Sequence, residues 1–344
     1  MKRLCLILIL GLLSCIGLLA NVRVLSIGIS EYPHSSGWNK LNAHNDVQLI
    51  KTIFPNAISL EDSQATLSGI KGSISNLSSC VAAGDTIIIH FSGHGQQILT
   101  NASSDEIDGV DEALVPYDAN KRKTNSYWGQ NHFTDNAFGD KINRLRKAVG
   151  PSGLVIAVID ACHSDSMDKA AEDPDEIYRG TDEIFGAEGM SDEKIASLRE
   201  TYHNQDSTPL MTSADMSNVI YLSACKSDKR NYEVIENDKG YGSLTFYFSR
   251  AYKKVGLSDI STFLTEIYTG MENDHTLQFH GQVPAVRSTI GWEAPVKIIP
   301  KDPEPPLPPT DPEDRSISLW EWSLLVIIPL TILIALWITR KIKR

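Results

Sequence analysis

Residues 153–166 read GLVIAVIDACHSDS, and this stretch predicts the central strand of the fold. The unbroken apolar run from Leu154 to Ile159 has the length and β-branched content of a strand buried on both faces. The run stops at Asp160, and Cys162 follows two residues later. Catalytic groups in open parallel α/β sheets collect at the carboxyl ends of strands, so Cys162 stands where a reactive thiol is expected.

A second stretch, residues 85–95, reads DTIIIHFSGHG and has the same construction. A short β-branched run ends at Phe91, and His94 follows between two glycines. Glycine on both sides lets the backbone turn tightly and lets a substrate come close. Two adjacent parallel strands with these ends would bring an imidazole and a thiol to one cleft, as thiol catalysis requires. The sequence therefore predicts a catalytic pair of Cys162 and His94.

Strand-like and helix-like segments alternate along most of the chain. Predicted strands cover 22–29, 57–60, 85–91, 154–159, 218–225 and 283–286, and predicted helices cover 41–54, 70–82, 137–149, 243–255 and 260–271. This alternation predicts an α/β fold with a mostly parallel six-stranded sheet and helices on both faces. Residues 167–217 show no sustained apolar period, and we interpret them as a flexible acidic insert inside the domain.

Composition restricts the class of protein. The chain has 344 residues, enough for one large catalytic domain, which we assign to residues 21–298. A formal net charge of −11 argues against nucleic acid as a partner of the folded domain. Outside the amino-terminal segment the chain has three cysteines, an odd number without framework spacing, so we expect no disulfide scaffold. Of these, we expect Cys80 and Cys225 to be buried thiols.

Both ends of the chain indicate membrane targeting. Residues 1–20 have the basic start and apolar run of a secretory signal peptide, with an uncleaved anchor as the alternative. Residues 319–339 form an apolar span long enough to cross a bilayer, and the basic tail 340–344 follows. Because basic residues stay on the cytoplasmic side, we expect a single-pass protein with an extracytoplasmic domain. Residues 299–318 are a Pro-rich acidic linker that should be extended.

The placed motifs resemble those of the caspase-like cysteine peptidases, and in particular the metacaspases. The resemblance rests on SGHG at 92–95, DACHS at 160–164 and the acidic DGVDEALVPYD at 108–118. Further matches are residues 41–46, YLSAC at 221–225, GSLT at 242–245 and GQVP at 281–284. Each short motif is weak by itself. Their order at the ends of successive predicted strands makes the combination specific, and together they span roughly residues 22–290.

The resemblance implies a three-layer caspase-like fold and peptide-bond hydrolysis. Cys162 would be the nucleophile and His94 the acid and base, while the backbone N–H groups of Gly95 and Cys162 would stabilise the oxyanion. The family's basic-residue pocket corresponds to Asp46, Ser92 and Asp160. We therefore expect polypeptide substrates that are cleaved after Arg or Lys, since paired carboxylates suit a guanidinium. The oligomeric state is open, with a monomer expected.

This sequence departs from the family pattern after the nucleophile. Asp165 replaces the usual glycine, and the insert that follows is long, so we interpret it as a possible activation linker. The candidate self-cleavage sites in the insert are Lys169, Arg179, Lys194 and Arg199. The chemistry needs no cofactor, but clustered carboxylates suggest calcium, and a solvated acidic loop is an equal alternative. The candidate calcium ligands are Asp108, Asp111, Asp118 and Asp168.

Three other functions fit parts of the sequence. A legumain-like or transamidase-like enzyme shares the fold but lacks the CHS context at 162–164. A catalytically inactive caspase-like binding module would not need both His94 and Cys162. A zinc site of His94, Cys162 and His163 has no ligand-pair spacing to support it.

Overall fold

The computed structural model describes residues 20–99, 110–162, 176–203, 210–226 and 229–295. The predicted signal peptide, linker, transmembrane segment and basic tail all lie outside these ranges, apart from Ala20 at the boundary. Within the described ranges, no helix is both long and apolar enough to cross a membrane. The segment predicted to span the bilayer, 319–339, is not among them.

A six-stranded sheet forms the centre of the domain. Its strands are β1 (Val22–Gly28), β2 (Ile58–Glu61), β3 (Thr86–Ser92), β7 (Leu154–Asp160), β8 (Asn218–Ser223) and β11 (Ala285–Ser288). Their order across the sheet is β2-β1-β3-β7-β8-β11, and every pair is parallel except β8 with β11. The predicted mostly parallel six-stranded sheet is therefore confirmed.

Helices cover both faces of this sheet, as the sequence predicts. The helices are α1 (Ala43–Ile53), α2 (Leu67–Cys80), α3 (Asp135–Val149), α4 (Asp192–His203), α5 (Ser243–Val255), α6 (Ile260–Glu272) and α7 (His275–Phe279). Alternate residues of the central strands point to opposite faces, so each strand supplies two cores. Apolar residues of α2 and α3 share one core with Ile89 and Ala157. Those of α1, α5 and α6 share the other core with Ile88 and Ile156.

The order of the strands predicts where along the sheet a ligand site lies. β2 pairs with one side of β1, and the chain then crosses over so that β3 pairs with the other side of β1. The crevice at such a reversal, outside the carboxyl ends of the strands, is the usual ligand site of open α/β sheets. β3 and β7 are directly paired, so the segments that follow them leave the sheet side by side.

Several short elements were not predicted. A small antiparallel sheet contains β4 (Gly95–Leu99), β5 (Val110–Leu114) and β6 (Phe133–Thr134). A hairpin joins β9 (Glu233–Glu236) to β10 (Lys239–Gly242) through Asn237 and Asp238, both at positive φ, which suits a tight two-residue turn. Strands of two to five residues are too short for a periodic signal to appear in the sequence.

Two expectations of the sequence analysis are wrong. The insert 167–217 is not irregular throughout, because α4 occupies residues 192–203 and Arg179 within it is fully buried. This helix has no strong apolar face, so its acidic sequence carries no helical period from which it could be predicted. Cys80 is exposed rather than buried, because it is the last residue of α2. Cys225 is buried as expected.

Candidate active site

The register of β3 and β7 aligns the two predicted catalytic residues. Ser92 is paired with Asp160, the last residues of the two strands, and the N–H of Gly93 donates to the carbonyl of Asp160 over 3.3 Å. His94 and Cys162 each lie two residues beyond this pair. Both residues therefore follow neighbouring strand ends at the same edge of the sheet.

His94 is held by a backbone carbonyl and by aromatic rings. Its Nε2 lies 2.9 Å from the carbonyl oxygen of Asn39, and its ring stacks on Trp38 with 4.8 Å between centroids. A carbonyl oxygen only accepts, so Nε2 carries the hydrogen and Nδ1 carries the lone pair. Nδ1 is buried and has no hydrogen-bond partner among the described residues. Burial also lowers the pKa of His94 to about 3, so the ring is neutral at pH 7 in this arrangement.

The backbone N–H and the thiol of Cys162 donate to two different carbonyl oxygens. The backbone N–H donates to the carbonyl oxygen of Arg179 over 2.9 Å. The thiol donates to the carbonyl oxygen of Lys229, also at 2.9 Å, and its sulfur lies 3.4 Å from that of Cys225. The side chain of Cys162 is almost completely buried, with 1% of its surface exposed. The peptide group of Arg179 thus lies directly against the predicted nucleophile.

The three predicted pocket residues lie together, and they surround Arg179. Its Nη2 lies 2.8 Å from an oxygen of Asp46 and 2.8 Å from an oxygen of Glu233. Its Nη1 donates to the hydroxyl of Ser92 at 2.6 Å and lies 3.9 Å from a carboxylate oxygen of Asp160. All four of these partner side chains are nearly or fully buried. The pocket therefore holds a guanidinium that comes from the chain itself.

Neighbouring groups fix the orientation of the pocket carboxylates. Asp160 accepts hydrogen bonds from the N–H and the hydroxyl of Thr245 at 2.7 and 2.6 Å and from the amide of Asn231 at 2.9 Å. Asp46 accepts from the N–H of Gly242 at 2.9 Å. A side chain at position 242 would collide with the carboxylate of Asp160, so glycine is needed there. The carboxylates are positioned before any substrate arrives.

The pocket contains three carboxylates for one guanidinium. Burial, together with the charges of Asp160 and Glu233, raises the pKa of Asp46 to about 7, although Arg179 opposes this change. Burial alone would lower the pKa of Arg179, but the three carboxylates raise it above its usual value. Arg179 alone leaves an excess of negative charge among the three carboxylates, and the raised pKa of Asp46 lets that acid bind a proton near neutral pH, which reduces the excess.

The segment before Arg179 binds as an added β-strand. The N–H of Arg179 donates to the carbonyl of Asn231 at 2.9 Å, and the N–H of Glu233 donates to the carbonyl of Ile177 at 3.0 Å. Tyr178 and Tyr232 form an antiparallel bridge between these bonds. Strand addition of this kind is a common mode of peptide recognition, because main-chain bonds give affinity and pockets select side chains.

The segment after Arg179 enters a polar cleft of about 500 Å³. Arg230 pairs with Asp182 at 2.5 Å, and Arg122 binds both oxygens of Glu183 at 2.6 and 2.9 Å. Lys121 lies 3.3 Å from Glu183 as well. The chain is therefore held on both sides of the Arg179–Gly180 bond.

The remaining predicted site residues lie outside the arginine pocket, although Gly95 directly follows His94. Gly95 opens β4 opposite Leu114. Lys194 is in the first turn of α4, and Arg199 is in the same helix. Asp118 accepts from the N–H of Leu67 at 2.8 Å, and Asp111 is buried in β5. Asp108, Asp168 and Lys169 lie outside the described residues. No group of three possible metal ligands occurs within the described ranges, and calcium binding stays a prediction.

The sequence analysis missed several residues of the site. Asn39 contributes only a backbone carbonyl, which leaves no mark in a sequence. Glu233 lies in a four-residue strand, 73 positions after Asp160. The sequence predicts only a cleavage site at Arg179, and the one signal for its place in the pocket is its position between Tyr178 and Gly180 in an acidic region. The sequence predicts only a core thiol at Cys225, because its contact with Cys162 depends on strand order.

Together these features define a caspase-like α/β domain with a cysteine and a histidine at the ends of adjacent strands. The sequence model of the caspase domain family matches residues 22–291, and the chain belongs to this family. Its curated relatives are metacaspases, so it is a metacaspase-like member.

The relatives match over part of their length. Metacaspase-4 of Arabidopsis thaliana is 29% identical over 126 residues, which cover 33% of this chain and 26% of that protein. Metacaspase-3 of the same plant is 30% identical over 177 residues, covering 51% and 40%. Metacaspase-1B of Aspergillus clavatus is 21% identical over 212 residues, covering 56% and 49%. The matched part of the chain thus spans about a quarter to a half of these relatives.

A solved structure shares the fold. It is a crystal structure of a Geobacter sulfurreducens protein, with a TM-score of 0.52 and 21% sequence identity. The match covers 80% of this chain and 95% of that one. At this identity the likeness concerns the fold alone.

Proposed function

We propose that this protein is a cysteine endopeptidase that cleaves peptide bonds after arginine or lysine. One observation carries the proposal: the Arg179 side chain fills a pocket of buried carboxylates while its carbonyl oxygen accepts a hydrogen bond from the N–H of Cys162. A substrate arginine bound in the same way would present its scissile carbonyl to the thiol of Cys162. Guanidinium recognition by paired carboxylates is strong and directional.

The chemistry follows from the hydrogen bonds of His94. Its Nδ1 lone pair takes the proton from the thiol of Cys162, and the resulting thiolate attacks the carbonyl carbon. The carbonyl oxygen becomes an oxyanion and keeps its hydrogen bond from the N–H of Cys162. The N–H of Gly95 is the proposed second donor. The imidazolium then protonates the leaving amine, and the same nitrogen later activates water to release the acyl group.

Self-cleavage is part of this proposal, and Arg179 is the favoured site among the four candidates. Proteolysis requires an extended segment, and residues 177–179 already pair as a strand with 231–233. Lys194 and Arg199 lie in α4, which would have to unfold before either bond reached the thiol. Until the segment leaves, Arg179 also excludes other substrates from the pocket.

Location and metal dependence remain proposals from the sequence. An apolar segment at 319–339 followed by a basic tail supports a single-pass protein whose peptidase domain is extracytoplasmic, periplasmic or extracellular. Calcium is proposed as an activator through the acidic region around residues 108–118, with Asp111 and Asp118 as the described candidates. The ion would act on the conformation of that region, since the Cys–His chemistry needs no metal.

The test is a panel of fluorogenic peptides with Arg, Lys, Asp or Asn before the scissile bond, each assayed with and without calcium. We expect cleavage of the Arg and Lys peptides, and none by a Cys162→Ala variant. Cleavage after Asp alone, or after Asn alone as in a legumain-like enzyme, would contradict the proposal. Those side chains would leave the buried carboxylates of the pocket without a cation.

The runner-up function is a catalytically inactive binding module in which Arg179 plugs the pocket permanently. The observation in its favour is that the Cys162 thiol donates to Lys229 rather than to an imidazole in this arrangement. An arginyl chloromethylketone distinguishes the two. Covalent labelling of Cys162 supports the peptidase function. If Cys162 stays unlabelled after the segment that carries Arg179 has been cut, the result supports the inactive binding module.

A further inference from the structure

The thiol of Cys225 lies beside the proposed nucleophile without taking part in the pocket. Its sulfur is 3.4 Å from that of Cys162 and 3.0 Å from the carbonyl oxygen of Lys229. Both cysteines are buried, and both are in the thiol form rather than joined in a disulfide. The groups around Arg179 are oxygen atoms, whereas the sulfur of Cys225 contacts the sulfur of Cys162 and one backbone carbonyl oxygen.

The sheet itself brings the two sulfurs together. Cys162 follows β7, Cys225 follows β8, and these strands are parallel neighbours with Ile159 paired to Ser223. The N–H of Ala224 still donates to the carbonyl of Ile159 at 3.1 Å, so the pairing continues to the residue before Cys225. Neighbouring strands are about 4.8 Å apart, which is within the range of Cα separations that disulfides span.

We infer that Cys162 and Cys225 form a reversible disulfide that switches the peptidase off when a peroxide is present. The sulfurs must approach from 3.4 Å to the bonding distance of about 2.05 Å, a movement that side-chain rotation supplies. The bond consumes the proposed nucleophile, and a dithiol reductant restores it. Loss of activity in this inference rests on the proposed function, but formation of the bond does not.

The oxidation proceeds in two balanced steps with hydrogen peroxide. The thiolate of Cys162 attacks one peroxide oxygen, the O–O bond breaks, and with one proton the products are a sulfenic acid and water. The sulfur of Cys225 then attacks the sulfenic sulfur, and its thiol proton leaves with the hydroxyl group as a second water. In sum, two thiols and one hydrogen peroxide give one disulfide and two waters.

Cys225 is suited to the second step rather than the first. The hydrogen bond with Cys162 and burial raise the pKa of Cys225 well above its usual value, so it stays a thiol while Cys162 is reduced. Oxidation of Cys162 to the sulfenic acid removes the first of these causes, which frees Cys225 to react. Without a resolving thiol, further peroxide carries a sulfenic acid to the irreversible sulfinic acid.

Peptide mapping of the full-length protein tests the bond directly. The reduced protein is treated with hydrogen peroxide, remaining thiols are blocked with N-ethylmaleimide, and the chain is digested with trypsin without reductant. We expect a linked pair of peptides, residues 148–169 and 200–226, that separates when dithiothreitol is added. A sulfinic acid at Cys162 beside an N-ethylmaleimide-blocked Cys225 would overturn the inference.

Two variants and one assay sharpen the result. Cys80→Ser should still form the link, because Cys80 is exposed at the end of α2 and remote from both strand ends. Cys225→Ser should form none, and its Cys162 should reach the sulfinic acid instead. Peroxide should lower cleavage of an arginine peptide by about tenfold or more in the wild type, reversibly with dithiothreitol. A link that forms in a chain without peptidase activity would support the disulfide and contradict the proposed function.

Discussion

The backbone N–H of Cys162 donates to the carbonyl oxygen of Arg179 across 2.9 Å, so the protein presents one of its own arginines to its proposed nucleophile. The same arginine reaches the carboxylates of Asp46 and Glu233, each 2.8 Å from its Nη2. The main chain and the side chain of one residue therefore occupy the two places that a substrate needs, which leads to the following predictions.

Self-cleavage should occur between Arg179 and Gly180, because that bond already lies against Cys162. We expect amino-terminal sequencing of purified wild-type protein to find a fragment that begins at Gly180. The Cys162→Ala and Arg179→Gln variants should lack this fragment. Fragments beginning only at Ala170, Ile195 or Glu200 would point to the other candidate sites, and an intact chain with full turnover would remove the role of the insert altogether.

Replacing Asp160 by alanine should abolish cleavage of arginine substrates. The change removes a buried carboxylate that lies 3.9 Å from the guanidinium and accepts hydrogen bonds from Thr245 and Asn231. Breaking a buried charge pair by removing one partner costs about 3–5 kcal/mol, or roughly 10² to 10³-fold or more in kcat/KM. Alkylation of Cys162 by iodoacetamide should persist, which shows that the variant keeps its thiol. Undiminished cleavage after arginine would show that Asp160 does not select the substrate.

Glu233→Gln should reduce the preference for arginine over lysine. Glu233 contacts Nη2 of Arg179, a nitrogen at the far end of the guanidinium for which a lysine ammonium has no counterpart. We expect kcat/KM to fall about tenfold for the arginine peptide, with a smaller change for lysine. The matched control is Glu236→Gln at the exposed end of the same strand, which should change neither value. Equal losses for both peptides would contradict a selective role.

Acidic residues after the cleavage site should improve substrates. Asp182 and Glu183 follow the Arg179–Gly180 bond and pair with Arg230 and Arg122. A peptide with the sequence RGTDE should be cleaved up to about fivefold faster than RGTNQ, because partly exposed ion pairs contribute at most about 1 kcal/mol. The difference should shrink in high salt and in an Arg230→Gln variant. Equal rates at low salt would exclude this preference.

Acid should destabilise the fold partly through His132. Burial lowers the pKa of His132 to about 4, and the ring lies between the Tyr127 hydroxyl and the Gln96 side chain. Well above pH 6.5, the usual pKa of histidine, neither the folded nor the unfolded chain binds this proton. Between pH 6.5 and 4 only the unfolded chain takes it up, so the free energy of unfolding falls as the pH falls, by up to about 1.4 kcal/mol per pH unit from this residue.

The measurement is the pH dependence of urea unfolding in the wild type and in His132→Gln. We expect the two slopes to differ by close to one proton between pH 6.5 and 4 and to agree above pH 7. Comparing slopes removes the constant loss of stability that the substitution itself causes. Parallel curves over the whole range would mean that His132 titrates in the folded protein as it does in the unfolded chain.

The sheet and the positions of its strand ends are predictable from the sequence alone. Buried strands such as Leu154–Asp160 have continuous apolar runs, and the end of each run identifies the residues that follow the strand. For this reason the sequence predicts the places of Cys162, His94 and Asp160, together with the helices on both faces. Short strands such as Phe133–Thr134 and the polar helix Asp192–His203 carry too weak a pattern to be found this way.

The groups that occupy the site follow from long-range contacts and not from local sequence. That Arg179 fills the pocket, that Glu233 joins it from a hairpin, and that Cys225 touches Cys162 all depend on which segments lie next to one another across the sheet. Such contacts join residues tens of positions apart, and no local periodicity encodes them. Burial strengthens these contacts, because a charge or a thiol removed from water interacts mainly with the few groups that the fold places beside it.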